Sequence, residues 1–235
     1  MHDEYYFTDQ NEVKSSDLHI FFENYPVIKP GQEILVKKTV PGRGNVWLRT
    51  GTFSDTEISM VLDVNVTGKD VSLMDAYTEV RRRLKKCSEI SFCDASDYFY
   101  KVKNIDIDKL NQYAETAGDF SVKMICAAGI FRKDGKSRYE AADVLENPYD
   151  ESHPEYIITG EGVCTLNVNG NMMTANVGQN ICINTDKMIS YRTDGNMQNT
   201  AVSGRYSNLY LNHGKNTISI TEGFTLQVIP NWRCI

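Results

Sequence analysis

Residues 204–233 read GRYSNLYLNHGKNTISITEGFTLQVIPNWR, and this stretch decides the fold class. Leu209–Leu211 and Thr217–Ile220 are β-prone runs flanking Asn212-His213-Gly214-Lys215-Asn216, whose Gly and Asn residues tolerate positive φ, so the pattern predicts a hairpin. A second turn at Glu222-Gly223 leads into Phe224–Ile229. There Phe224, Leu226 and Val228 share one face, and Thr225, Gln227 and Ile229 share the other. Pro230 has no backbone N–H to give to a ladder and stops the strand. Turns and strands in succession up to the last residues predict the closure of an all-β domain.

The same texture extends upstream. Tyr156–Ile158, Val163–Val168, Met172–Ala175 and Ile181–Asn184 read as short strands, with Asn169-Gly170 the strongest hairpin signal in the chain. Nearer the start, Tyr5–Phe7 and Leu18–Phe22 are β-like, and Ile34-Leu35-Val36, the turn Val40–Asn45 and Val46-Trp47-Leu48 predict a long hairpin. Ile58, Met60, Leu62 and Val64 alternate with Ser59, Val61 and Asp63, as in a half-buried strand. The period then changes: Leu73, Tyr77, Val80 and Leu84 recur at helical spacing. Ser72 is placed to cap that helix, Asp75 stands at its third position, and Lys85-Lys86 close it. Ile90–Phe92, Tyr98–Ile107 and Phe120–Ala128 return to strand. Strands, one helix and more strands predict a sandwich or barrel with a helix laid against it. The turn-rich Phe131–Ser137 region marks a domain boundary between Gly129 and Pro154, giving domains 1–135 and 136–235.

Composition narrows the function. With 41% hydrophobic and 24% charged residues among 235, the chain is that of an ordinary globular protein. No apolar run approaches the roughly 18 to 20 residues of a membrane span, and the acidic start MHDEYYF lacks the pattern of an export signal. Cys87, Cys93, Cys126, Cys164, Cys182 and Cys234 form no CxxC pair and predict free thiols. A net charge of −6 opposes general nucleic-acid binding, which needs clustered Lys and Arg.

No constellation carries a catalytic signature. Consecutive Arg81, Arg82 and Arg83 point to different sides of a helix, which favours a solvated or protein-contacting face over a phosphate patch. Gly42-Arg43-Gly44 lacks the continuation of a phosphate loop and reads as a hairpin turn. Asp106 and Asp108 share a strand face without a metal-loop continuation, and His2, His19, His153 and His213 are scattered. No serine stands in a nucleophile elbow. Neither an enzyme nor a cofactor or metal site is expected. Trp47 and Trp232 are either sugar-stacking platforms or packing residues, and a Trp beside a strand end favours packing.

Taken in order, several stretches resemble the distal tail protein of long-tailed, non-contractile bacteriophages, in its short form. They are VPGRGN (Val40–Asn45) with GTFSDTEI (Gly51–Ile58), ISFCDASDYFY (Ile90–Tyr100) after the helix, GDFSVKMIC (Gly118–Cys126), GKNTISI (Gly214–Ile220) and IPNWR (Ile229–Arg233). The chain departs from the family in its polar Phe131–Tyr149 linker and in the added Cys234-Ile235. The resemblance implies a mainly β protein: an N-terminal tail-tube-like β-sandwich or barrel with one flanking helix, then a galectin-like β-sandwich. It implies a homo-hexameric structural hub of the virion, assembled in the host cytoplasm. That hub joins the tail tube protein to tail-tip, fibre or receptor-binding proteins, and DNA passes through it without specific binding. Arg43, Arg81, Arg82 and Arg83 become candidate ring contacts and Trp232 a packing residue of the C-terminal domain. The alternative is a two-domain carbohydrate-binding module, carried by the β-sandwich reading and Trp232.

Overall fold

The computed structural model describes residues 5–140 and 144–235. It divides into one unit that runs to Ile130 and includes Ile235, and another from Phe131 to Cys234. Both are mainly β, and among the described residues a single α-helix lies in the first.

In the first unit, β1 (Phe7–Asp9), β2 (Ile20–Phe22), β3 (Val27–Lys29), β4 (Glu33–Val40), β5 (Gly44–Phe53) and β6 (Thr56–Asn65) precede α1 (Leu73–Leu84). After it come β7 (Glu89–Phe92), β8 (Tyr98–Ile107), β9 (Asn111–Ala114) and β10 (Ala117–Cys126). The sheet runs β1-β7-β8-β10-β6-β2, with β3 also on β6 and β9 on β10. Its centre is the antiparallel pair β6–β10, in register from Ala117↔Asn65 to Cys126↔Thr56. Ile58, Met60, Leu62 and Val64 of β6, with Phe120, Val122 and Met124 of β10, form the buried face. The opposite face, with Ser59, Val61, Asp63, Asp119, Ser121 and Lys123, follows from the two-residue period of a strand.

Helix α1 covers part of the buried face. Ser72 Oγ accepts the Asp75 backbone N–H at 3.1 Å and donates to the Asp75 carboxylate at 2.6 Å, a capping arrangement that satisfies the first turn. Leu73, Ala76, Tyr77, Val80 and Leu84 are buried. Tyr77 meets the edge of Phe120 with centroids 5.2 Å apart and donates its hydroxyl to the Asp108 carbonyl at 2.8 Å.

In the second part of the chain, β11 (Ile130–Arg132), β12 (Tyr139–Glu140), β13 (Val144–Asn147), β14 (Glu155–Val168), β15 (Asn171–Asn184) and β16 (Ile189–Tyr191) come first. They are followed by β17 (Val202–Ser203), β18 (Gly214–Ile220), β19 (Thr225–Ile229) and β20 (Arg233–Cys234). β14 and β15 form one continuous ladder from Glu155↔Asn184 to Val168↔Asn171, turning at Asn169 (φ 53°) and Gly170 (φ 83°). The four short strands expected here are therefore two long ones. Gly160, Gly162 and Gln179, at φ 152°, 104° and 72°, lie between the strands expected and are bends inside the paired ladder. Gly160 is required there, because a Cβ would run into the Phe224 ring. The bend splits the pairing of β14: Glu155–Thr159 takes β19 and Leu166–Val168 takes β18.

The hairpin expected between Leu209–Leu211 and Thr217–Ile220 does not form. Tyr206–Leu209 is a 3-10 turn, Leu211 bridges Ser152, and β18 pairs with β13 and β14. The buried Asn216 closes the intervening loop: its amide nitrogen donates to the Asn212 and Gly214 carbonyls, and its oxygen accepts from the Asn212 N–H. Leu209 and Leu211 are drawn into the core, and a hydroxyl bond from the fully buried Tyr156 to the Leu209 carbonyl fixes them there. All six cysteines are free.

Candidate assembly surface

The hairpin β4–β5 is exposed along most of its length. Gly42 and Gly44, at φ 76° and 80°, make its turn, and Val36↔Leu48, Lys37↔Trp47 and Lys38↔Val46 set its register. The pair forms a two-stranded sheet of its own. Val36, Leu48 and Lys38 share one face, while Leu35, Lys37 and Trp47 share the other. Neither face is covered: Trp47 is 60% exposed and Val36 49%. A lone two-stranded ribbon is marginal in water, and apolar side chains exposed on both its faces mark an interaction surface.

Its charge is one-sided. Lys37, Lys38, Arg43 and Arg49 stand against Glu33 alone, on a chain whose net charge is −6. Arg49 lies 3.5 Å from Glu33, and the Lys37 ammonium sits 5.9 Å from the centre of the Trp47 ring. Lys38 and Arg43 make no ion pair among the described residues.

The three helix arginines have different fates. Arg81 lies over the Tyr77 ring at 5.6 Å. Arg82 grips Glu79 through two bonds of 2.9 and 3.0 Å, which holds the Glu79 carboxyl below its usual range. Arg83 reaches the same carboxylate at 4.0 Å and has one buried, unpartnered guanidinium nitrogen. The outward charge of the helix is thus largely answered within the helix, whereas that of the hairpin tip is not.

A carboxylate group that sequence reading passed over lies on the outer face of the sheet. Asp63 and Asp119 are directly opposite across the β6–β10 ladder, an arrangement that like charges destabilise. Asp63 is only 5% exposed: its Oδ1 accepts the Tyr113 hydroxyl at 2.6 Å, and its buried Oδ2 has no partner. Asn111 donates to Asp119 at 3.0 Å. Together with Phe22, Glu23 and Tyr113 they line a cavity of about 300 Å³. The hydrogen bond to Asp63, with burial and the charges of Asp63, Asp119 and Glu23, pushes the Tyr113 hydroxyl up to about 12. None of the three carboxylates makes an ion pair among the described residues. The only sequence signal was an Asp in the outward half of the Ile58–Val64 alternation; its opposition to Asp119 exists only once the strands pair.

The remaining candidates are quickly placed. Asp106 and Asp108 are exposed beside a cavity of about 420 Å³ also lined by Tyr25, Val61 and Lys123. Among the described residues no group of three or more His, Cys, Asp or Glu side chains could hold a metal ion, and no helix is long and apolar enough to cross a membrane. Trp232 is 5% exposed and packs in the second unit's core, its ring 6.4 Å from that of Tyr149, so it presents no open face to a sugar.

No protein-family model and no curated protein matches the sequence. Solved structures do. The crystal structure of the SPP1 Dit protein (gp 19.1), a paradigm of the hub adsorption apparatus in phages infecting Gram-positive bacteria, matches with a TM-score of 0.59 at 10% identity. The match covers 95% of this chain and 97% of that one. Chains of the phage P2 baseplate in its activated conformation, with Ca and with Sr, match with TM-scores of 0.53 at 11% and 10% identity. Each covers 95% of this chain and 96% of its counterpart. The likeness is one of fold and runs nearly end to end.

Proposed function

We propose that this chain is the distal tail hub of a long-tailed, non-contractile bacteriophage. Six copies close into a ring that joins the tail tube to the tip or baseplate and lets DNA through its centre. Fold alone does not fix function, and one observation carries the reading: the likeness to hub and baseplate chains spans nearly the whole of both partners instead of a single common module.

Physical features support it. The β4–β5 hairpin exposes apolar side chains that a subunit contact would cover. A heterologous contact of that kind closes into a ring when its rotation permits and leaves no edge open. Net negative charge suits a conduit, because a wall that held phosphates would retard the DNA. In this reading the ring contacts are the hairpin around Arg43 and the helix carrying Arg81, Arg82 and Arg83, and the second unit serves tip and fibre proteins.

Co-expression with the tail tube and tip proteins of the same phage tests this. The expected result is a ternary complex held through this chain, and mass spectrometry of purified virions that finds the chain in the tail. Failure to bind either partner, or absence from the virion, overturns it.

A further inference from the structure

The outer face of the β6–β10 sheet contains an electrostatic conflict that the isolated chain leaves unresolved. Asp63 and Asp119 oppose one another in register, with Glu23 beside them, and among the described residues only neutral donors answer them: the Tyr113 hydroxyl and the Asn111 amide. The Oδ2 atom of Asp63 is buried without a partner. Burying a carboxylate oxygen without a partner is costly, and a structure that retains one gains when a cation arrives. The exposed Tyr113 beside these carboxylates makes a lining suited to a long side chain with an apolar stem and a charged head, while the Phe22 ring is turned into the core. The carboxylates are not grouped as metal ligands are.

The complementary piece is on the same chain. Lys38 and Arg43 lie near the tip of β4–β5, unpaired, on a ribbon whose apolar side chains are also uncovered. We propose that in the ring the β4–β5 hairpin of a second copy docks on this face, with Lys38 and Arg43 meeting the Glu23, Asp63 and Asp119 carboxylates. The contact is heterologous, hairpin to sheet face, so each copy gives one and receives one, as a closed ring requires. The inference rests on the ring reading above and names the receiving surface.

The test uses the full chain and reads the concentration of half-assembly by analytical ultracentrifugation and negative-stain imaging. Lys38→Glu with Arg43→Glu, or Glu23→Lys with Asp119→Lys, each raises that concentration about tenfold or more. The chain carrying all four reversals, or an equimolar mixture of the two double variants, restores assembly. Circular dichroism confirms the fold of each variant. If the fourfold variant does not fold, Arg43→Gln and Asp119→Asn singly and together replace it. Non-additive losses support the contact, and additive losses overturn it. Rings of the wild type that persist in both double variants overturn this inference and leave the hub reading standing. Rings that persist while the acidic-face variant loses a tail partner assign the face to that partner and also overturn it. A wild type that never assembles removes both.

Discussion

At the scale of single residues, Tyr113 reports on the acidic face. Its hydroxyl pKa is raised because Asp63 accepts a hydrogen bond from the phenol, so the neutral form is favoured in the folded state. The folded pKa lies above the ordinary Tyr value near 10. The resulting stability is fully present below pH 10 and is lost as pH rises from 10 through about 12. A spectrophotometric titration of the folded protein, compared with Tyr113→Phe, is expected to show this tyrosine ionising late. Asp63→Asn should bring it back towards 10; a Tyr113 that titrates normally beside an intact Asp63 contradicts the geometry. Trp232 makes the opposite case. Position beside a strand end pointed to packing, and the ring is buried in the second unit's core, with Gly135 so close that a Cβ there would strike the Trp232 backbone. Trp232→Ala should cost about 3 to 5 kcal/mol by chemical denaturation. A loss under 1 kcal/mol would mean that the ring is not packed as described. Trp232 was legible because burial of a large aromatic is local chemistry. Asp63 was not, because its conflict depends on Asp119, which is distant in sequence and is brought opposite only by the β6–β10 ladder.

At the scale of elements, the helix and the hairpin were legible for different reasons. Helix α1 announces itself through spacing and a capping residue, and its Ser72–Asp75 exchange of hydrogen bonds is visible as residue types three apart. Ser72→Ala should cost about 1 kcal/mol, read in urea, with the fold unchanged; no loss would place the cap elsewhere. The β4–β5 hairpin is legible from its glycines at the turn and the apolar runs on either side, but its lack of a covering layer is not, since exposed and buried ribbons share a pattern. Replacing residues 34–52 by a short Gly/Ser connection is expected to leave the melting temperature within a few degrees and to abolish assembly. A collapse of the fold would show that the ribbon supports the body, contrary to its exposure. The long β14–β15 ladder was read as four strands because glycine marks both turns and bends. The difference lies in what meets the glycine, here the Phe224 ring, which is far away in sequence. Likewise Leu209 and Leu211 looked like half a hairpin until burial of both, and a bond from Tyr156, removed them from any ladder with β18.

At the scale of the whole molecule, two separate cores organise the chain, one around Phe22, Leu62, Phe120 and Tyr77, the other around Tyr156, Leu166, Met173 and Trp232. Much of this plan was legible, a mainly β chain with one helix among the described residues. Which strands neighbour one another was not, because register and long-range pairing are set by partners distant in sequence. Separate cores carry a consequence that hydrogen exchange can read. Tyr77→Ala should loosen amides up to Ile130 and Trp232→Ala those from Phe131 onward, each with little effect on the other set; equal loosening of both would show one cooperative core. The function proposed above stands or falls on closure of a ring by copies of this chain. Native mass spectrometry of the full chain over a concentration series tests it most directly: the account predicts a hexamer that grows in at the expense of monomer and weakens as salt is raised, and a chain that stays monomeric at every concentration contradicts it.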